Sequence, residues 1–160
     1  MTARYLDYAR SKLGFLVEDH GFEEGYSWAT TVEYLTYSYP EGEDHLGMKI
    51  GMSFGFEWTP GLAFHAYRGK KVVGRTFSVV EYRTDVTIPL IEKFHEMRHK
   101  KSLDKAHQMW RGGDFDEIFN GFIDEFAKVI EENIEKIKQG EVQEIVEQMK
   151  PKKKPRKKKT

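Results

Sequence analysis

Five consecutive residues, His95-Glu96-Met97-Arg98-His99, fit the H-E-x-x-H pattern. On a helix, residues four apart share a face, so two imidazoles can hold one zinc ion while the glutamate activates its bound water. That is the chemistry of a zinc-dependent hydrolase, with His95 and His99 as ligands and Glu96 as base. The surroundings oppose it. The segment reads EKFHEMRHKK, and Arg98, Lys100 and Lys101 repel a divalent cation by ordinary Coulomb forces. The extended form of the motif places a third histidine at position 105, which here is Lys105. His107 comes two residues late, and Glu117 and Glu125 lie in no supporting motif. Two surface histidines on a solvated helix account for the pattern, so the zinc hydrolase is kept as an alternative reading and no cofactor is otherwise expected.

Other catalytic arrangements find less support. The chain has no cysteine, which removes disulfides, thiolate metal sites and cysteine nucleophiles. It has no G-x-S-x-G elbow and no P-loop. The GKKVVGR segment falls in an expected hairpin, whereas a phosphate cradle opens a helix. His20, His45 and His65 stand singly and read as cap, turn and strand-face residues. No pair of carboxylates has the spacing and apolar setting that divided acid and base roles require.

The net charge of zero conceals two opposite parts. The last eleven residues, KPKKKPRKKKT, carry eight of the 26 Lys and Arg and no acid, so residues 1–149 hold 18 cations against 26 acids, a net charge of −8. A run so charged and broken by Pro151 and Pro155 cannot pack and is expected to be a disordered tail over 150–160. Seven of these eight cations, Lys152, Lys153, Lys154, Arg156, Lys157, Lys158 and Lys159, suit weak, salt-sensitive contact with nucleic acid through counterion release. They also fit a nuclear-localisation pattern, a solubilising extension, or a strap returning to the acidic body. With no aromatic among them, they offer no stacking platform for bases.

The elements that would position such residues follow from periodicity. Leu6, Ala9, Leu13 and Leu16, widened by Tyr5, Tyr8 and Phe15, line one face of an N-terminal helix capped by Thr2 and stopped at His20-Gly21. Residues 27–83 read as sheet: a strand over SWATTVEYLTYSY, a second from Leu46 to Trp58, then LAFHAYR and VVGRTFSVVEYR. In the second, Leu46, Met48, Ile50, Met52, Phe54, Phe56 and Trp58 alternate with small or polar residues, the period of an extended chain. Gly47, Gly51 and Gly55 on its other face indicate a bulge or bend, or else close approach of a ligand; the bulge is the expected reading. A helix starting at a Thr87 cap carries the H-E-x-x-H segment. SLDKAHQMW continues it or forms a helix of its own. A long helix capped by Asp114 then presents Phe115, Phe119, Phe122, Phe126, Val129, Ile130, Ile134 and Ile137, a stripe able to cover the sheet or pair with a second copy as a homodimer.

With 160 residues, 39% hydrophobic and 14% aromatic, the chain suits one soluble globular domain. It contains no apolar run of membrane-spanning length, and its charged N-terminal segment lacks the apolar centre of a secretion signal. The expected location is cytoplasmic, or nuclear in a eukaryote.

Both ends of the domain resemble a loose group of small bacterial proteins of unassigned function. Phe15, Leu16, Val17, Gly21 and Phe22 match its entry motif, and Phe126, Ala127, Ile130, Ile137, Gly140 and Glu141 match its C-terminal helix. Some members of that group are similar to immunity proteins that neutralise toxins, which implies a non-catalytic binding role but assigns no functional residue. The H-E-x-x-H helix and the basic tail are not part of the pattern. The expected molecule is therefore a single α+β domain over 1–149. A four-stranded antiparallel meander packs against an N-terminal helix and a long C-terminal helix. The expected function is binding of a protein partner, with a basic one favoured by the acidic body.

Overall fold

The computed structural model describes residues 4–69, 71–72, 77–79 and 82–149. Helix α1 (Tyr5–His20) buries Tyr5, Leu6, Ala9, Leu13 and Leu16, the stripe that its spacing dictates. Gly21 adopts φ +73°, and the Phe22 amide returns to the Leu16 carbonyl at 2.9 Å. This left-handed glycine stop delivers Phe22 to the core. Arg4 occupies the N-cap position; the Thr2 cap expected from sequence lies outside the described residues.

Four antiparallel strands follow in meander order: β1 (Glu23–Ala29), β2 (Val32–Tyr39), β3 (Gly47–Gly55) and β4 (Gly61–Arg68). Two short strands, β5 (Lys71–Val72) and β6 (Phe77–Val79), both pair with β4. The molecule is thus α+β with an antiparallel sheet, as expected, but the strands are cut differently. The segment expected as one strand over 27–39 is a hairpin, with Ala29 opposite Val32 across Thr30-Thr31. That turn contains neither glycine nor asparagine, so the β-branched run hides it. The long strand expected to reach Trp58 stops at Gly55, and Trp58 leaves the core, 68% exposed.

Pairing through β3 is unbroken on both sides, from Val32↔Gly55 to Tyr39↔Met48 and from Gly47↔Tyr67 to Ser53↔Gly61. The expected bulge is absent from this stretch, and the glycines have other reasons. A Cβ on Gly55 would lie 2.6 Å from the Thr31 carbonyl oxygen, and one on Gly47 would lie 2.3 Å from the Tyr67 ring. A Cβ on Gly51 would meet nothing within 4 Å. Gly55→Ala should therefore destabilise the fold by about 1–3 kcal/mol, since a main-chain carbonyl cannot swing away as a side chain can. Thermal unfolding checks this, and an unchanged midpoint would mean that the 29–32 turn shifts freely.

The helices lie on one face of the sheet. Helix α2 (Thr87–Arg98) is capped by Thr84 rather than Thr87: the Thr84 hydroxyl accepts from the Val86 and Thr87 amides at 3.2 and 3.0 Å. Thr87, fully buried, accepts in turn from the Thr84 amide at 2.7 Å. Helix α3 (Leu103–Arg111) is separate, with Ser102 accepting from the Lys105 amide at 3.1 Å. Helix α4 (Asp116–Glu132) begins after Gly113 at φ +87°, and Asp114 does not cap it. The chain breaks at Asn133, whose side-chain amide donates to the Val129 carbonyl at 2.9 Å, before α5 (Ile134–Lys138) and α6 (Gln143–Met149).

Phe115, Phe119, Phe122 and Phe126 are all fully buried inside the one chain. They join Tyr5, Phe54 and Phe94 in a contiguous core that reaches from α1 to Val146. The stripe considered for a second copy is thus covered by the chain's own sheet and helices. Among the described residues, no helix is long and apolar enough to cross a membrane.

Candidate functional site

The H-E-x-x-H residues sit at the C-terminal end of α2, where the His99 amide still donates to the His95 carbonyl at 2.8 Å. His95 and Glu96 lie exposed near the end of α2, whereas His99 is the residue after its last turn, with ψ 133°. Arg98 between them points back, donating from Nε to the Phe56 carbonyl at 3.2 Å. His107 packs against Phe56 and Trp110, with ring centroids 5.4 and 5.8 Å away. Among the described residues, no group of three His, Asp or Glu is placed to hold a metal ion. The cationic run Lys152, Lys153, Lys154, Arg156, Lys157, Lys158 and Lys159 lies outside the described residues.

A polar cluster that the sequence reading did not single out is built around Glu33. Strand alternation puts Glu33 on the same face as Leu35 and Tyr37, so its carboxylate enters the core side and is only 4% exposed. Oε1 accepts from Arg4 Nη2 at 2.9 Å and from the Tyr5 hydroxyl at 2.6 Å, and Oε2 accepts from the Tyr26 hydroxyl at 2.7 Å. The Trp110 indole donates to the Tyr5 oxygen at 3.0 Å. One carboxylate thereby ties α1, β1, β2 and, through Tyr5, α3.

Burial alone would push the Glu33 carboxyl up. The hydrogen bonds from Tyr5 and Tyr26, with the Arg4 charge, outweigh it and hold the group below its ordinary range. The same contacts act oppositely on the phenols: burial first, then the Glu33 carboxylate, push Tyr5 and Tyr26 upward. A carboxylate held as an anion by three donors is a weak base, and phenols so shifted are weak acids. The cluster is built to hold charge in place rather than to move protons. Beside it, a small cavity of about 210 Å³ opens between Glu33, Tyr26, Trp28 and Arg111, whose guanidinium lies 4.9 Å from the Trp110 ring centroid.

Among the described residues, no helix lies on the opposite face of the sheet. Its floor is made of Gly51, Ser53, Gly61 and Ala63, with Tyr34 and Trp58 at one end and Lys49 and His65 at the other, enclosing about 410 Å³. The pairing of Val32 with Gly55 puts the β1–β2 turn and the β3–β4 connection at the same end of the sheet. Four aromatic side chains surround that end: Trp28 is 67% exposed and Trp58 68%, with Tyr26 and Tyr34 also in contact with solvent. Alternation directs Trp28 to the helix side of the sheet, level with Glu33, while Tyr34 and Trp58 line the open side. No family model, curated protein or solved structure matches this chain.

Proposed function

We propose that the protein is a non-catalytic binding protein of the immunity or inhibitor type. On this reading it grips a basic protein partner with the aromatic end of its sheet. The observation that carries it is the exposure of two of the chain's three tryptophans, each about two-thirds open to solvent, at one end of a single sheet. Tryptophan and tyrosine supply much of the binding energy at protein interfaces, because they bury large areas while losing little side-chain freedom.

Two further features support it. The excess of eight acids over cations in residues 1–149 would steer a basic partner and speed encounter. The Glu33 cluster fixes β1, from which Trp28 projects, so that this anchor is held before contact and loses less freedom on binding. The motifs at both ends of the domain, similar to those of small proteins that include immunity proteins, point the same way.

The test uses the full chain immobilised against extract of the producing organism at low salt. A basic polypeptide should be retained. Trp28→Ala and Trp58→Ala should each weaken its binding by about thirtyfold or more, with unchanged circular dichroism. Raising salt severalfold should weaken it further by screening the steering charges. Retention that ignores salt and both tryptophans would sink the proposal.

A further inference from the structure

We propose that the cavity on the face of the sheet opposite the helices binds a small planar aromatic molecule bearing one anionic group, its ring against Trp58 and Tyr34 and its anion at Lys49. This goes beyond the partner-binding reading, which shares Trp58 and Tyr34 with the cavity but rests equally on Trp28 on the other face.

Gly51 is the first reason. A glycine inside a strand weakens it, and Gly25, Gly47 and Gly55 are explained by contacts within the chain. A Cβ on Gly25 would lie 2.7 Å from the Thr36 hydroxyl, and those on Gly47 and Gly55 would collide as described. Gly51 has no such neighbour, and its φ is not left-handed. What its missing side chain does is keep the floor of the cavity open, together with Ala63 opposite it on β4.

The lining is the second reason. Ser27, Thr36, Ser53 and Thr59 line this cavity, and none of their hydroxyls bonds to another group among the described residues. The Glu33 cluster is the contrast, with both oxygens of its carboxylate engaged. The hydroxyls are left to serve the middle of a ligand. A volume of about 410 Å³ is in the range of small-molecule sites.

Charge sets the class. Lys49 has no carboxylate partner among the described residues, and its cross-strand neighbour is His65. Burial, then the Lys49 charge, lowers the His65 pKa, so the imidazole is neutral at pH 7 and the described residues that line the cavity offer one cation. One cation on a body of net charge −8 suits a monoanion and opposes a dianion or a nucleic-acid strand. Lys49 and Ser53 are four residues apart on β3, roughly 13 Å by strand rise, enough for a ring, a polar linker and an anion in line.

N-benzoylglycine has those three parts and serves as the probe, with uncharged N-benzoylglycinamide and dianionic AMP as companions. In the full chain, N-benzoylglycine should give saturable NMR shifts at the Gly51, Ser53 and Ala63 amides. Lys49→Ala should weaken it about tenfold or more while leaving the amide analogue unchanged. Gly51→Val should abolish the shifts of both. It should also raise the unfolding midpoint by about 2–4 °C, which separates a filled cavity from a damaged fold. Absence of saturable shifts with all three probes, or normal binding by Gly51→Val, overturns the proposal. Tighter binding of AMP overturns the single-charge assignment. Because Trp28 is on the other face, Trp28→Ala should leave N-benzoylglycine binding intact, so loss of the protein partner and loss of this site are read separately.

Discussion

Replacing Phe119 with alanine should cost about 3–5 kcal/mol of folding stability, roughly a fifth or more of what a domain ordinarily has. Its ring lies 5.0 Å from Tyr5, 5.8 Å from Phe54, 6.3 Å from Phe94 and 6.0 Å from Phe115, centroid to centroid. These neighbours come from α1, β3, α2 and the entry to α4, so the gap opens where the helix layer meets the sheet. All five side chains are fully buried, and partners drawn from four elements cannot collapse together into the space. At roughly 2–4 °C per kcal/mol, the unfolding midpoint should fall by about 10 °C. Phe119→Leu, which keeps most of the volume, should cost much less. Denaturant unfolding with an unchanged m-value is the measurement. A loss below about 1 kcal/mol would mean that the aromatic cluster is not packed around Phe119 as described.

Where a residue's local period and its burial agree, the sequence was readable. The α1 stripe and its glycine stop, the alternation from Met48 to Phe54, and the phenylalanine stripe of α4 all belong to this kind. The errors arose where the local signal was silent or ran on too far. Thr30-Thr31 turns the chain with residues that favour strands, so the β1–β2 hairpin was invisible. Apolar alternation continued past Gly55, and nothing local said that Phe56 would be buried and Trp58 exposed. Thr84, not Thr87, caps α2, and both are threonines within one turn of its start.

The candidate site was less legible, and for a different reason: its parts come from distant segments. Arg4, Tyr5, Tyr26, Glu33 and Trp110 meet only after α1 and α3 have docked on the sheet. One signal was nonetheless present. Glu33 has the same parity as Leu35 and Tyr37, which places a carboxylate on an inward face and demands partners for it. The residues of H-E-x-x-H are, by contrast, adjacent and conspicuous, but among the described residues no third ligand joins them. Gly51 was visible as one of three glycines at four-residue spacing. Only the structure separates it from Gly47 and Gly55, by showing which of them has a neighbour in the way.

Glu33→Ala is the second large loss to expect, at about 3 kcal/mol. Three donors lose a charged acceptor, and hydrogen bonds of that kind contribute roughly 1.5–3 kcal/mol each without adding in full. Arg4, 43% exposed, recovers water when freed, so the deficit falls mainly on Tyr5, which is fully buried and also receives the Trp110 indole. Glu33→Gln keeps an acceptor for Arg4 and Tyr5 and should lose about half as much. Its value lies in the pH dependence. The folded protein holds the Glu33 carboxyl below its ordinary range, so the ionised form is favoured by folding. That contribution is complete above the unfolded value near 4.3 and disappears as pH falls through the lower folded value. The stability gap between the natural chain and Glu33→Gln should therefore be widest at neutral pH. It should begin to close only once the pH drops below about 4.5. Equal gaps at pH 7 and well below pH 4 would show that the cluster stabilises the fold by shape alone. A closing gap assigns the loss to the buried charge, and with it the anchoring of β1 on which the placement of Trp28 depends.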